Sequence, residues 1–287
     1  MPAAARLNGQ TLDPAHAAVA ALDHGFLYGN GLFETLRARD GVPFALDEHL
    51  YRLERSAEVI GLRPPPAESL AAEVLAAAEA AGEPDAYVRL TVSRGPGAAG
   101  PDPATCGAPT VLVVVRPFPP APERWERGGL TAATAAIRRN TSSPLTRVKS
   151  LNYLECILAK QAAKAAGCDE ALFVDTDGCL AEATAWNLFF AEGSRLLTPS
   201  ESRPILPGVT RAIVLRLARA LHLEVEEGAF PPERLAEASE AFLTNSLYGI
   251  MPLASVDGRR IGSAAPGPLT LRLRDEYETL RRDSRRG

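Results

Sequence analysis

Lys149 sits in Arg147-Val148-Lys149-Ser150-Leu151-Asn152-Tyr153-Leu154, and Glu182 in Leu180-Ala181-Glu182-Ala183-Thr184-Ala185-Trp186-Asn187-Leu188-Phe189. Read together, they are the parts of an amine–aldehyde chemistry. A lysine condenses with an aldehyde only when its amine can lose its proton, which partial burial and neighbouring cations favour. A carboxylate against a ring nitrogen keeps that nitrogen protonated, so the ring can accept electrons. The small residues after Glu182 would let a flat ring approach the backbone. Taken singly, Lys149 reads as solvated surface charge and Glu182 as a strand-end carboxylate in an ion pair. The two segments together carry the reading.

Other stretches suit an anionic group. Leu206-Pro207-Gly208-Val209-Thr210-Arg211 opens a helix, whose free N–H groups and positive dipole end suit a phosphate, although Pro and Thr are also ordinary helix-start residues. In Leu243-Thr244-Asn245-Ser246-Leu247-Tyr248-Gly249-Ile250-Met251-Pro252 a strand end meets a polar turn. Ser246 and the backbone after it can donate to phosphate oxygens there, and alone the stretch reads as a hydrogen-bonded turn. Arg52 is a candidate phosphate partner, against the default of a surface ion pair. Gly25-Phe26-Leu27-Tyr28-Gly29-Asn30-Gly31 is not GxGxxG and lies in no βαβ unit, so nicotinamide binding is unsupported. His16, His24, His49 and His222 form no HExxH, and no serine sits in GxSxG. His24 and His49 read as structural hydrogen-bonders. Cys106, Cys156, Cys168 and Cys179 form no CxxC pair, so no metal is expected. Cys156 reads as a small buried apolar residue.

The elements that must position these groups follow from periodicity and turn signals. Short apolar runs over 3–22, broken by Asn8-Gly9 and Pro14, predict an opening hairpin or strand pair. An alternating strand over 32–38 ends at Asp40-Gly41, a hairpin signal, with 42–46 as the return strand. Asp47 is placed to cap a helix over 48–60, with Leu50, Leu53, Ala57 and Ile60 at helical spacing. Pro64-Pro65-Pro66 then breaks the chain before an alanine-rich helix to about 81. A strand over 87–92, a Gly- and Pro-rich loop over 95–109 and a buried strand over 110–115 follow. Pro117-Phe118-Pro119-Pro120-Ala121-Pro122 is a stiff linker. Beyond it come a strand over 130–137, the lysine segment, and a helix over 152–166 ending at Gly167. Strands over 170–175 and 186–191, a helix to about 220, and strands near 224–226 and 241–244 complete the pattern. The fold class is α+β (α/β) in two domains: a smaller N-terminal one over 1–118, a linker over 119–125, and a larger strand-rich one over 126–287 carrying Lys149.

The 287 residues are 46% hydrophobic and 23% charged, an ordinary globular composition, and the net charge of −4 gives no reason to propose nucleic acid or an anionic membrane as partner. The basic end, Arg281-Arg282-Asp283-Ser284-Arg285-Arg286, reads as a solvated tail. With neither a leader pattern nor a long apolar run, the expectation is a soluble cytoplasmic protein with reduced thiols.

From Asp23 to about Gly262 these motifs resemble the fold-type IV pyridoxal-phosphate family, which contains branched-chain and D-amino-acid aminotransferases and aminodeoxychorismate lyase. The resemblance implies pyridoxal 5'-phosphate as cofactor, with Lys149 as its Schiff-base lysine and proton shuttle. It implies Glu182 at the pyridine nitrogen, Asn187 supporting that segment, and Tyr153 near the cofactor's phenolic oxygen. Arg52, Val209, Thr210, Ser246 and Leu247 would hold the phosphate, and Tyr28, Phe33 and the 95–101 loop would line the substrate side. It also implies a homodimer, with each active site at a domain and subunit interface.

Within the family, Phe33-Glu34-Thr35 places a threonine where branched-chain aminotransferases tend to have glycine, and Thr244-Asn245-Ser246 places an asparagine where those enzymes have another small residue. With Met251-Pro252, these look like aminodeoxychorismate lyase, and Thr35 and Asn245 join Lys149 as catalytic candidates. Arg94-Gly95-Pro96-Gly97-Ala98-Ala99-Gly100-Pro101 carries no Arg-x-His pair, which counts against a D-amino-acid enzyme. Ala99 stands where some lyases have an arginine, and Arg94 is the candidate for the substrate carboxylate. The expectation is a lyase that converts 4-amino-4-deoxychorismate to 4-aminobenzoate and pyruvate, for folate precursor synthesis. The alternative is a transaminase of branched-chain or other apolar amino acids, and a cofactor-binding protein without efficient catalysis comes third.

Overall fold

The structure, a computed structural model, describes residues 4–284. The chain divides into two compact units, Met1–Pro119 with Val148–Asn152, and Pro120–Arg147 with Tyr153–Gly287.

The first unit opens on a hairpin of β1 (Ala4–Leu7) and β2 (Gln10–Leu12). Its turn residues Asn8 and Gly9 both have positive φ, 49° and 84°, the form that matches strand twist. A short helix α1 (His24–Tyr28) leads to β3 (Gly31–Arg39) and the two-residue β4 (Val42–Pro43). The return strand expected over 42–46 stops there because Ala45 turns left-handed and opens α2 (Leu46–Ile60). Ala45 therefore occupies the N-cap expected of Asp47, and Asp47 lies in the first turn, where a negative charge suits the helix dipole. α3 (Ala67–Ala81), β5 (Asp85–Ser93) and β6 (Thr110–Pro117) follow. Among the described residues the sheet is six-stranded, in the order β2-β1-β6-β5-β3-β4. Leu32, Leu36, Val88, Leu90 and Val113 pack on Leu50, Leu53, Leu70 and Val74 of the two helices. Strand alternation sends Phe33, Thr35 and Arg37 to the other face.

The lysine segment belongs to this unit and not, as its place in the sequence suggested, to the C-terminal one. Phe33 N–H donates to the Lys149 carbonyl at 2.9 Å, Leu151 N–H donates to the Gly31 carbonyl at 3.0 Å, and Val148 enters the core. A segment paired by long-range backbone bonds cannot be assigned from chain order.

In the second unit α4 (Glu123–Gly128) occupies part of the expected linker, and β7 (Leu130–Thr134) ends earlier than the strand expected over 130–137. α5 (Leu154–Ala165), β8 (Glu170–Val174), β9 (Leu180–Ala183), β10 (Asn187–Glu192) and β11 (Arg195–Pro199) come next. They are followed by α6 (Val209–Ala220), β12 (Glu224–Gly228), α7 (Pro232–Ala236), β13 (Glu240–Asn245), β14 (Gly249–Val256), β15 (Arg259–Arg260) and α8 (Pro268–Asp283). β9 pairs with both β8 and β10, so β10, β13, β14, β7, β8 and β9 close into a ring. The basic end read as a tail is the last turn of α8, where Arg281 is 5% exposed; Arg285 and Arg286 lie outside the described residues. Among the described residues no helix is long and apolar enough to cross a membrane.

Candidate active site

In the first unit, glycines seat the lysine segment. A Cβ on Gly31 would lie 2.8 Å from Leu151 Cδ1, and one on Gly29 2.8 Å from Asn152 Oδ1. Gly29 closes α1 with φ 67°, and its carbonyl accepts from Asn152 Nδ2 at 3.0 Å. The glycine-rich run that is not a nucleotide motif is thus the bed on which residues 149–152 lie. Lys149 Nζ is 4.5 Å from the centre of the Phe33 ring, and the Arg89 guanidinium carbon is 3.8 Å from the same centre. Arg89 sits opposite Thr35 in the β3–β5 register. A second cation here favours the neutral form of a lysine amine.

On the other face of β3, Glu34 is buried with His49 and Arg52 from α2. Its carboxylate accepts from Arg52 Nε at 2.9 Å, Arg52 Nη2 at 2.5 Å and His49 Nδ1 at 2.6 Å. Burial alone would raise the Glu34 carboxyl, but the Arg52 charge and the His49 hydrogen bond outweigh it and hold it at about 2. Burial pushes His49 below its ordinary range; Glu34 opposes this, while Arg52 and Lys149 add to it. Arg52, expected at a phosphate, donates to Glu34 through Nε and Nη2.

In the second unit, Glu182 and Asn187 are the pair at which β9 meets β10. Glu182 is buried; its Oε1 accepts from Arg139 Nη2 at 2.8 Å, and its Oε2 from Leu206 N–H at 3.0 Å and Asn187 Nδ2 at 3.2 Å. Thr244 of β13 stands opposite Asn187, so Glu182, Asn187 and Thr244 form a row on one sheet face. Gly208 lets α6 begin against this row, since a Cβ there would lie 1.9 Å from Asn187 Oδ1. Among the described residues, the buried hydroxyl of Thr210, in the first turn of α6, has no hydrogen-bond partner, and no side chain caps the helix. The first N–H groups of the helix have no intrahelical acceptor.

The remaining candidates have identifiable partners. Asn245 Oδ1 accepts from Leu247 N–H at 3.1 Å and Tyr248 N–H at 2.8 Å, which shapes the turn holding Ser246. Arg94 donates to the Ile60 and Gly61 carbonyls at 2.7 and 2.6 Å and so closes the end of α2. The Tyr28 hydroxyl accepts from Gly100 N–H at 2.7 Å, and His24 Nε2 meets the Ala98 carbonyl at 2.9 Å, which pins the 95–101 loop. Tyr153 precedes α5 and packs with Cys156, which is buried as expected. Val209 is the buried first residue of α6. Arg89 and Arg139 went unread in the sequence. For Arg89 the strand alternation that buries Val88 and Leu90 was the available signal. A groove of about 620 Å³ between the Asn8-Gly9 turn and α3 holds none of these residues; its carboxylate, Glu73, is paired with Arg6 at 3.0 Å.

The amino-transferase class IV family model matches residues 31–256. The chain is 39% identical to the "Putative branched-chain-amino-acid aminotransferase" of Methanocaldococcus jannaschii, over 96% of this chain and 95% of that one. It is 34% identical to the aminodeoxychorismate lyase of Bacillus subtilis, over 90% and 88%. The solved T.th. branched-chain amino acid aminotransferase with pyridoxamine 5'-phosphate superposes with a TM-score of 0.90 at 31% identity, covering 96% of this chain and 93% of that one.

Each unit, taken by itself, carries groups that suit part of a phosphorylated pyridine aldehyde. The orphaned Thr210 hydroxyl and the uncapped α6 terminus match a phosphate. The buried Glu182 carboxylate, held by Arg139, Asn187 and the Leu206 N–H, matches a protonated ring nitrogen. Lys149, which shares the Phe33 ring with Arg89, supplies an amine of the kind that condenses with an aldehyde.

Proposed function

The chain belongs to the class IV aminotransferase family, and on that premise we propose that it is a transaminase of branched-chain or other apolar amino acids. It is a pyridoxal 5'-phosphate enzyme. The observation that carries the reading is the grouping of Lys149 and Arg89 around the Phe33 ring. The 39% identity to a protein named as a branched-chain aminotransferase supports transamination over the lyase reaction that the sequence suggested.

The cofactor supplies an aldehyde carbon for amines and a ring that accepts electrons. In this reading Glu182 holds the proton on the ring nitrogen, with Asn187 keeping the carboxylate in place. Thr210 and the N–H groups opening α6 take the phosphate, joined by Ser246 and Leu247. Lys149, once freed by the substrate amine, removes the proton from the amine-bearing carbon as a general base and hands it on. Arg89 receives a substrate carboxylate, and its charge favours the neutral, base-competent form of the freed Lys149 amine. Tyr28 and Phe33 bound the apolar side, and the tied 95–101 loop holds Tyr28. A cytoplasmic homodimer belongs to the same reading.

The test supplies the loaded protein with L-leucine or L-valine and 2-oxoglutarate, and measures glutamate. Turnover that needs the keto acid and disappears in Lys149→Ala is expected. Thr35 favours the second reading, the lyase. Equal release of 4-aminobenzoate and pyruvate from aminodeoxychorismate without any keto acid, with no amino transfer from leucine or valine, would replace the transaminase by it.

A further inference from the structure

Arg139 belongs to no motif that the proposed chemistry uses, yet it bonds Glu182 more closely than Leu206 or Asn187 does. Its Nη2 donates to Oε1 at 2.8 Å, whereas Oε2 takes these two neutral donors at 3.0 and 3.2 Å. The arginine is itself held in place. Its N–H donates to the Val174 carbonyl at 3.1 Å and its carbonyl accepts from Thr176 N–H at 3.0 Å, so its backbone runs beside the end of β8. Its guanidinium carbon lies 4.7 Å from the centre of the Phe173 ring. Nη1 is 3.7 Å from the Glu155 carboxylate, and Nη2 is 3.8 Å from Cys156 Sγ, both on α5. The Arg139 side chain is 12% exposed and that of Glu182 6%. Burial pulls the guanidinium down, but Glu182, and after it Cys156, Glu155 and Tyr153, keep it above its ordinary range. The cation persists wherever the protein is folded.

We propose that Arg139 is a positioning residue: it keeps Glu182 an oriented anion and so sets how firmly the cofactor's ring nitrogen holds its proton. The second half rests on the reading of Glu182 as partner of that nitrogen. A carboxyl this buried, with neutral donors alone, would drift towards its protonated form, which offers a ring N–H⁺ no charge. Arg139 prevents that drift. It also shares the negative charge, and therefore moderates the pull of Glu182 on the ring proton. Both effects are exerted through Glu182.

The experiment is a carbon-13 titration of the Glu182 carboxyl in cofactor-free protein, assigned with Glu182→Gln, beside a pH titration of the pyridoxal phosphate absorption band in loaded protein. In Arg139→Gln the carboxyl midpoint should rise by about one unit or more. The midpoint of the absorption band should rise too, because above its raised midpoint Glu182 is still anionic and a nearby positive charge is lost. Arg139→Lys should shift both less. An unmoved carboxyl midpoint in folded Arg139→Gln overturns the proposal. A shifted carboxyl with an unmoved band keeps the Arg139–Glu182 link and overturns the role of Glu182 at the ring nitrogen. If Arg139→Gln does not fold, Arg139→Lys decides, a smaller upward carboxyl shift supporting the proposal and none overturning it.

Discussion

Thr210 is the residue whose structure asks most directly for a ligand. A buried hydroxyl without a partner is a cost to the protein alone and a gain once a phosphate oxygen accepts from it. Thr210→Val should therefore leave the cofactor-free melting temperature unchanged or slightly higher, and weaken pyridoxal phosphate about tenfold, the equivalent of one hydrogen bond. Thermal melts and a cofactor titration check the two halves. Gly208 makes the opposite case. An alanine there would put its Cβ 1.9 Å from Asn187 Oδ1, so Gly208→Ala should cost about 1–3 kcal/mol by overpacking and loosen Glu182, read from urea midpoints. Lys149 and Glu182 were singled out by type and flanking residues. Arg89 and Arg139 were not, because among 31 lysines and arginines a single charge has no local signature of its partner.

At the scale of elements, the Glu34–His49–Arg52 group ties β3 to α2. Arg52→Ala would leave Glu34 buried without its arginine, and should destabilise the protein by about 3–5 kcal/mol in urea unfolding. The group also makes stability fall with acid. Glu34 titrates at about 2 when folded and near 4.5 otherwise; its contribution is full above 4.5 and disappears as pH falls towards 2. His49 is lowered from 6.5, so below 6.5 the unfolded chain takes a proton that the folded one refuses, a loss of the same sign. Urea midpoints at descending pH should decline from about 6.5, more steeply below about 4.5, and Glu34→Gln should flatten the lower part. The periodic elements were readable, α2 and α3 above all. β14 was missed because Pro252 within a run argues against a central strand; the strand nevertheless lies between β13 and β7. The helical spacing of the buried Thr270, Leu273, Tyr277 and Arg281 on α8 was present but masked by its arginines.

For the molecule as a whole, a ligand that binds only the folded chain adds stability by mass action. Pyridoxal phosphate should raise the melting temperature in proportion to the logarithm of its concentration. The rise should be smaller in Lys149→Ala, which keeps the phosphate site and loses the covalent one; equal rises in the two proteins would count against Lys149 as the attachment point. The sequence by itself determined the class of chemistry, the family and the cofactor, because these depend on which residues occur at which spacing. Only the tertiary structure decided that the Lys149 segment pairs with β3, that Arg52 meets Glu34, that Arg94 closes α2 and that Arg139 holds Glu182. The partner of a charge or of a free backbone edge is chosen by contacts between residues far apart in the chain, and local spacing carries no record of them.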